Sequence, residues 1–449
     1  MRRGRADRAG ISAGDVFALI HGDQVRTRAE IGRRTELSRT AVAARVRQLV
    51  ELGLVVEEIA GATTGGRPAG LLRVNPAGGV VLAASIGASK TKLGVCDLAG
   101  GVLAEAGLDL DTAAGPDAVL TTVADHLRRL AGEGGRAPVA VRGIGVCIPG
   151  PVDVGTGVGV ESPLMPGWGG VPIARYLAAP GIPVLVDNDV NALTLAEQNA
   201  RPGVTELLHV KVSTGIGAGI IAGGELQRGA VGAAGELGHN PVGDGGGVVC
   251  RCGNLDCLEA VASGAALVAA LRAAGREVVD VPGVVELVRA GDPEAVRMVR
   301  QAGRRIGEVL AVAVNLLNPQ VVVFGGDLAD AFEPLLAGVR ELVYRRAMVP
   351  ATRALLIEQS ALGERAGIIG CAAMALAEVL SPPATPMTAA PEPAGGVDGG
   401  QAAVRAASMA RGESTSARAI AAQPMIPARS PRALCSISRA RVAGTMARR

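Results

Sequence analysis

Aromatic side chains are almost missing from this chain: one Trp, two Tyr and three Phe among 449 residues, or 1%. Proteins that read single-stranded nucleic acid by stacking base after base need many such faces, so that class is disfavoured and the core must be built from Ala, Val, Leu and Gly. Long hydrophobic runs are lacking too. No segment reaches the ~18 uninterrupted apolar residues that span a bilayer, and the opening MRRGRADRAG leads into no apolar signal core, so a soluble, cytoplasmic protein with no membrane partner is expected. Lysine is scarce, 3 against 42 Arg, which means that an isolated arginine says little about nucleic acid. What is present excludes a wholly disordered or fibrous chain: 49% hydrophobic residues, 19% charged and a mean hydropathy of +0.33. The length is roughly three times the usual ~150-residue domain, so two or three domains are expected.

The net charge of +3 conceals a division. Residues 1–76 carry +5, residues 381–449 carry +6 and the middle carries −8. A basic head and tail around an acidic body is the asymmetry expected when one end meets nucleic acid and the body does something else. Of the seven cysteines, Cys96, Cys147, Cys371 and Cys435 are isolated, whereas Cys250, Cys252 and Cys257 crowd into eight residues. Such crowding suggests a metal, not a secreted disulfide framework.

The first 76 residues form a pattern of three helices and a two-stranded wing. A helix from about Ala13 to Ile20 is followed by Thr27, a cap whose partner Glu30 completes a capping box before Ile31. Ser38 caps the next helix, where Val42, Val46 and Leu49 fall on one buried face and leave Arg39, Thr40 and Ala43 outward. Strands Leu54–Val56 and Leu71–Val74, joined through Gly65-Gly66-Arg67-Pro68, complete a winged helix-turn-helix. From 77 to 380, Val/Ile/Ala-rich runs alternate with helical stretches, with strands expected at Val80–Ile86, Ile144–Ile148, Val184–Val186, Leu207–Val212 and Val321–Phe324; this predicts an α/β architecture with buried sheets. Residues 381–449, rich in Ser, Pro, Ala and Arg without periodicity, are expected to be a disordered basic tail.

Three constellations carry chemistry. His239 with Cys250, Cys252 and Cys257 makes a closed Cys3His set, the ligand count of structural zinc, with no position left for an activated water. Its expected work is to pin the glycine-rich loop Gly243–Gly247 and hold Glu236 and Glu259 in place. Second, Asp187-Asn188-Asp189-Val190-Asn191 follows an apolar strand; two acids and two amides there suit sugar hydroxyls, although taken alone such a cluster is turn or cap chemistry. Third come glycine loops: Ser85-Ile86-Gly87-Ala88-Ser89-Lys90 and Ser213-Thr214-Gly215-Ile216-Gly217 bring backbone amides close to a phosphate, while Gly325-Gly326 after Phe324 reads equally well as a tight turn.

Taken together in this order, these motifs resemble the ROK family of repressors, open reading frames and sugar kinases, over roughly residues 1–380, with Glu236-Leu-Gly-His239 and Cys250-Arg-Cys252-Gly…Cys257-Leu-Glu259 as the most specific part. The resemblance implies a two-lobed, actin-like ATPase (ROK/hexokinase-like) domain behind the winged helix, a structural Zn2+ on His239, Cys250, Cys252 and Cys257, and a homodimer or homotetramer. It also implies a sugar pocket lined by Asn188, Asp189, Glu236, His239 and Glu259, with Asp189 as general base if the domain is a kinase. Gly87, Lys90, Thr214, Gly215, Gly217, Gly325 and Gly326 would then hold nucleotide phosphates.

This sequence departs from the family's kinases at Ser85, where they carry an Asp that supports Mg2+ and phosphates; a neutral hydroxyl cannot replace that charge. It departs again at Asp256, where Gly commonly precedes the last cysteine. A preserved sugar half with a damaged nucleotide half is what a sensor retains. The expected function is therefore a sugar-responsive repressor that binds a double-stranded DNA operator and senses a sugar or sugar phosphate. Arg39, Thr40 and Ala43 would face base edges, Ser38, Arg45 and Arg47 the phosphates, and Arg67 a minor groove. The alternative is an active ATP-dependent sugar kinase with an appended DNA-binding domain, which would need Mg-ATP; Asp189 keeps it open and Ser85 discriminates.

Overall fold

The computed structural model describes residues 11–22, 25–59, 70–88, 90–132, 140–162, 165–243 and 245–380. Arg67, Ser89 and the tail 381–449 lie outside the described residues. The chain opens with α1 (Ala13–His21), α2 (Arg28–Thr35) and α3 (Arg39–Glu51), then the antiparallel pair β1 (Val55–Ile59) and β2 (Gly70–Val74). Each helix begins at a side-chain cap. Ser12 and Thr27 form capping boxes with Asp15 and Glu30, and the Ser38 hydroxyl accepts the Ala41 N–H at 3.2 Å. Glu36, left-handed at φ 59°, turns α2 into α3. Val42, Val46 and Leu49 are buried, as the periodicity expects, in one cluster with Val16, Phe17 and Ile31. Arg28 closes α2 onto β1 with two hydrogen bonds to the Glu57 carboxylate, 3.0 and 2.8 Å.

A first lobe follows: β3 (Val80–Ile86), β4 (Thr91–Asp97), β5 (Val102–Leu108), α4 (Pro116–Gly132), β6 (Val141–Ile148), the short β7 (Val152–Asp153) and β8 (Val158–Gly159), α5 (Ile173–Leu177), β9 (Val184–Asn188) and α6 (Asp189–Asn199). The second lobe comprises β10 (Leu207–Val212), β11 (Ile216–Ala222), β12 (Glu225–Gln227), α7 (Leu258–Ala262), α8 (Gly264–Ala273), α9 (Val281–Arg289), α10 (Pro293–Leu317), β13 (Val321–Gly325), α11 (Phe332–Arg346), α12 (Val349–Thr352) and β14 (Leu356–Gln359). A last helix, α13 (Ala366–Leu380), returns to the first lobe.

The two main sheets have one topology. The first runs β5-β4-β3-β6-β9 and the second β12-β11-β10-β13-β14. In each, the first three strands of the lobe pair antiparallel and the fourth and fifth add in parallel on the other side. All five strands expected from the sequence form, and β4, β5, β11, β12 and β14 come in addition. Gly217 is the notable correction. Expected in a loop, it stands within β11 opposite Lys211 of β10, because the turn is confined to Ser213–Gly215.

Helix α13 lies against β6 and α6 at positions where side chains are missing. A Cβ on Gly145 would meet the Cys371 carbonyl oxygen at 1.9 Å, and one on Gly370 would meet that of Ala192 at 2.0 Å. The other face of the same buried cluster holds Val16 and Phe17 of α1 beside Ala372, Met374 and Leu376 of α13. Arg142 of β6 adds hydrogen bonds to the carbonyls of Leu52 (3.2 Å) and Gly78 (2.8 Å). The N-terminal helices therefore share a hydrophobic core with the first lobe instead of hanging from a linker. No helix among the described residues is long and apolar enough to cross a membrane.

Candidate functional site

A cavity of about 390 Å3 is lined from both lobes: the loop after β3, the Pro149–Pro151 turn after β6, the start of α6, the β10–β11 turn, and the segment leading to α7. Asn188, Asp189, Glu236, His239 and Glu259, widely separated in sequence, all line it. So do Gly87, Lys90, Thr214, Gly215, Gly217 and Gly326. Gly325 does not line it. It ends β13, and a Cβ there would meet the His209 ring nitrogen at 2.7 Å, so its smallness serves packing. Ser85 is a β3 residue paired with Cys147 of β6, whose thiol donates to its hydroxyl at 3.5 Å; it is not among the cavity-lining residues.

The Asp/Asn cluster serves as cap and lining at once. The Asn188 side chain caps α6 by accepting the Val190 N–H (2.8 Å) and donates to the Gly150 carbonyl (3.1 Å). Asp187 is buried and structural: Asn191 donates to one of its oxygens and Arg228 to the other, both at 2.7 Å. Asp189 is also buried, with one oxygen 2.5 Å from the Lys211 ammonium. Deeper on β10, His209 is wholly buried; desolvation, reinforced by the charges of Lys211 and Arg201, pushes its pKa down to about 3, so it is neutral.

Glu259 reaches across the site. One oxygen accepts the Ile216 N–H at 3.1 Å, and the other lies 3.4 Å from Arg251 of the cysteine-rich loop. Asp327, after β13, accepts a hydrogen bond from the Ser213 hydroxyl. Sequence reasoning missed Lys211, Arg228, Arg251 and Asp327. For Lys211 a signal existed: one of only three lysines, it interrupts the apolar strand LLHVKV.

His239, Cys250, Cys252 and Cys257 bring their ligand atoms within 4.8 Å of one another. Cys252 and Cys257 sulfurs are 3.6 Å apart, and Cys250 sulfur is 3.7 Å from His239 Nδ1. A tetrahedral ion with metal–sulfur bonds of ~2.3 Å would separate its ligands by about 3.8 Å, so the residues fit such an ion. The other ring nitrogen, Nε2, lies 3.8 Å from the Glu236 carboxylate. One histidine can thus serve the metal with Nδ1 and the cavity with Nε2. The exposed Cys252 thiol is drawn down to about 7, first by a backbone hydrogen bond at Asn254, whereas burial pushes Cys257 up to about 12. Asp256 adopts the left-handed conformation (φ 57°), and its carboxylate accepts the N–H groups of Gly247 and Val248, both at 2.8 Å. It therefore ties down the glycine-rich loop that an ion would otherwise hold alone.

On the N-terminal helices, Ser38, Arg39, Thr40 and Arg47 are exposed and Ala43 is half-buried. Arg45 is a correction. Its guanidinium turns inward to the carbonyls of Ile11 (2.6 Å) and Ala41 (3.2 Å), so it braces α1 against α3 and is not presented to a phosphate.

The ROK family model matches residues 81–378. The chain belongs to the ROK family. It is 28% identical to the xylose repressor of Caldicellulosiruptor bescii over 384 residues, which cover 82% of this chain and 96% of the repressor. Among solved structures, a ROK family transcriptional regulator described as a homolog of the Escherichia coli MLC protein superposes with TM-score 0.70 at 27% identity, covering 82% of this chain and 95% of that one. The ROK hexokinase of Thermus thermophilus superposes with TM-score 0.57 at 36% identity, covering 67% of this chain and all of the hexokinase. The repressor and the regulator thus each match more of the chain than the hexokinase does, 82% against 67%, by a length comparable with the N-terminal helices and hairpin.

Proposed function

We propose that this chain is a sugar-responsive transcriptional regulator of the ROK family, of the repressor type. The observation that carries the reading is the joining of two parts: a capped helix pair with exposed Arg39, Thr40 and Arg47 shares one core with the first lobe, and that lobe, together with the second, lines a cavity that gathers Asn188, Asp189, Glu236, His239 and Glu259. In this reading the N-terminal 76 residues are a winged helix-turn-helix. Helix α3 enters the major groove with Arg39 and Thr40 toward base edges, Ser38 and Arg47 contact phosphates, and Arg67 reaches a minor groove. The duplicated sheet topology supports an actin-like pair of lobes, residues 77–380, that move relative to each other when sugar binds. Zinc on His239, Cys250, Cys252 and Cys257 holds the loop that carries Glu236 and Arg251. Repeated copies of the chain on inverted half-sites give the operator its symmetry, and the protein acts in the cytoplasm.

The nucleotide half supports sensing over phosphoryl transfer. Ser85 offers no negative charge for a metal, and the Ile216 amide is already satisfied by Glu259. Kinase activity remains the second reading because Asp189 lines the cavity. A thermal-shift screen against monosaccharides, their phosphates and Mg-ATP decides between them, since a ligand that binds the native state raises its melting temperature. A sugar shift without a Mg-ATP shift is expected; a Mg-ATP shift followed by turnover of the sugar would overturn the assignment. Arg39→Ala is expected to weaken specific operator binding by about 5- to 150-fold, the loss of one base contact. Unchanged affinity in a fluorescence-anisotropy titration would remove α3 from the groove.

A further inference from the structure

Lys211 is the feature of the cavity that the function so far leaves unused. It sits on β10 with its side chain 24% exposed, lines the cavity, and places its ammonium 2.5 Å from a carboxylate that is itself 10% exposed. The pairing is across 22 residues and two lobes: β10 belongs to the second sheet, while Asp189 is the first residue of the helix leaving the first sheet. We propose that Lys211 converts Asp189 from a general base into the accepting half of a fixed donor–acceptor pair, with which the cavity grips a neutral sugar hydroxyl without deprotonating it. This rests on the sugar-binding reading above and specifies how the site holds its ligand.

A base in phosphoryl transfer must take the hydroxyl proton as the phosphoryl group arrives. Here one carboxylate oxygen already holds a hydrogen bond from a cation. A proton moved onto Asp189 would dissolve the ion pair and strand an ammonium in a poorly solvated cleft, a cost that an unpaired carboxylate would not carry. A hydroxyl, in contrast, both donates and accepts. It can give its proton to the second Asp189 oxygen in a hydrogen bond and accept one of the two ammonium N–H groups that Asp189 leaves over. The pair therefore suits a polyol held intact and disfavours a phosphate at that position, which would meet the Asp189 charge at close range. The titratable groups that act on Lys211 besides Asp189 are Cys147 from β6 and Asp327 after β13, and Lys211 acts in turn on His209 of β10 itself; β11, packed alongside α6, carries no titratable residue, and the buried Cys371 of α13 is coupled to Cys147. Asp189 outweighs the others in holding the Lys211 ammonium charged, against the burial that opposes it.

The test compares wild type with Lys211→Met, Lys211→Gln, Lys211→Arg and Lys211→Met/Asp189→Asn. Melting temperatures of the full chain are read without ligand from pH 5 to 8, then with D-glucose, D-xylose and glucose 6-phosphate. Without its cation, Asp189 is left as an unpaired buried carboxylate that takes up a proton on folding. Stability is then present at low pH and lost as pH rises, so the Lys211→Met and Lys211→Gln curves are expected to fall relative to wild type, while Lys211→Arg follows wild type and the added Asp189→Asn abolishes the fall. With sugar, wild type and Lys211→Arg are expected to bind the free aldose in preference to its phosphate, and the uncharged variants about tenfold or more weakly by calorimetry. Uncharged variants that track wild type across pH overturn the pairing. Retention of wild-type sugar affinity by those variants, or tighter binding of the phosphate, overturns the grip on a neutral hydroxyl. A wild type that no sugar shifts, with the pH curves as expected, overturns the sugar grip together with the sugar-responsive reading and leaves the ion pair standing.

Discussion

On the proposed zinc site, Cys257→Ser, or treatment with a chelator, is expected to weaken the response to sugar while DNA binding persists. Cys257 is fully buried, and its sulfur is 3.6 Å from that of Cys252 and the same distance from the His239 carbonyl oxygen. It is also the N-cap residue of α7, so the hold of an ion there would pass directly to Glu259 two positions on. From Glu259 the path continues to the Ile216 amide and to Arg251 between the other two cysteines. Loss of one thiolate from a Cys3His set removes most of an affinity worth ~10–16 kcal/mol in structural zinc sites. The buried core of α1–α3 lies with the first lobe, in a cluster that includes none of His239, Cys250, Cys252 and Cys257. The expected result is a loss of sugar affinity of at least about tenfold by calorimetry, with operator affinity unchanged within error. Normal sugar affinity in a protein shown by metal analysis to be metal-free would contradict a structural role for the ion.

Gly370→Val separates sugar binding from the DNA response. The hydrogen at Gly370 is what lets α13 approach the Ala192 carbonyl of α6, and α6 begins at the cavity with Asn188 and Asp189. On its other side α13 packs against α1, so α6, α13 and α1 form a continuous packed path from cavity to N-terminal helices. A valine forces α13 and α6 apart. Overpacking of this kind costs about 1–3 kcal/mol, visible as a lowered melting temperature. The larger effect falls on coupling: sugar and operator are each still bound, but sugar no longer changes operator affinity. Glu378→Ala, on the exposed face of the same helix, is expected to leave coupling intact. Full coupling in a folded Gly370→Val protein would move the path elsewhere.

Local chemistry was legible from the sequence. Thr27 with Glu30, Ser38 as cap, and the buried Val42, Val46 and Leu49 all depend on residues within a few positions of one another, where spacing and side-chain type suffice. The metal set was legible for the same reason, since three of its four ligands fall within eight residues. Long-range partners were not. Lys211 and Asp189, Arg228 and Asp187, or Arg45 and the Ile11 carbonyl are each set by how distant elements pack, and the period of a helix or strand carries no information about the other half of such a pair. Arg45 shows the consequence: side-chain type and position on α3 suggest a phosphate contact, whereas a carbonyl 34 positions away holds the guanidinium. The duplicated sheet topology was hidden similarly, because β11, with two glycines in seven residues, reads as a loop until it pairs with β10.

Occupancy of the cavity is expected to be felt by the N-terminal helices. The decisive measurement is operator affinity with and without the sugar that stabilises the protein, at one fixed salt concentration because phosphate contacts make affinity salt-dependent. The operator is first selected from random duplexes by the sugar-free protein. A coupling free energy of ~1–3 kcal/mol predicts a change in operator Kd of about 5- to 150-fold on adding sugar, and the same factor in sugar affinity on adding operator. Saturating sugar that leaves operator Kd unchanged would mean that the cavity and the N-terminal helices are not coupled.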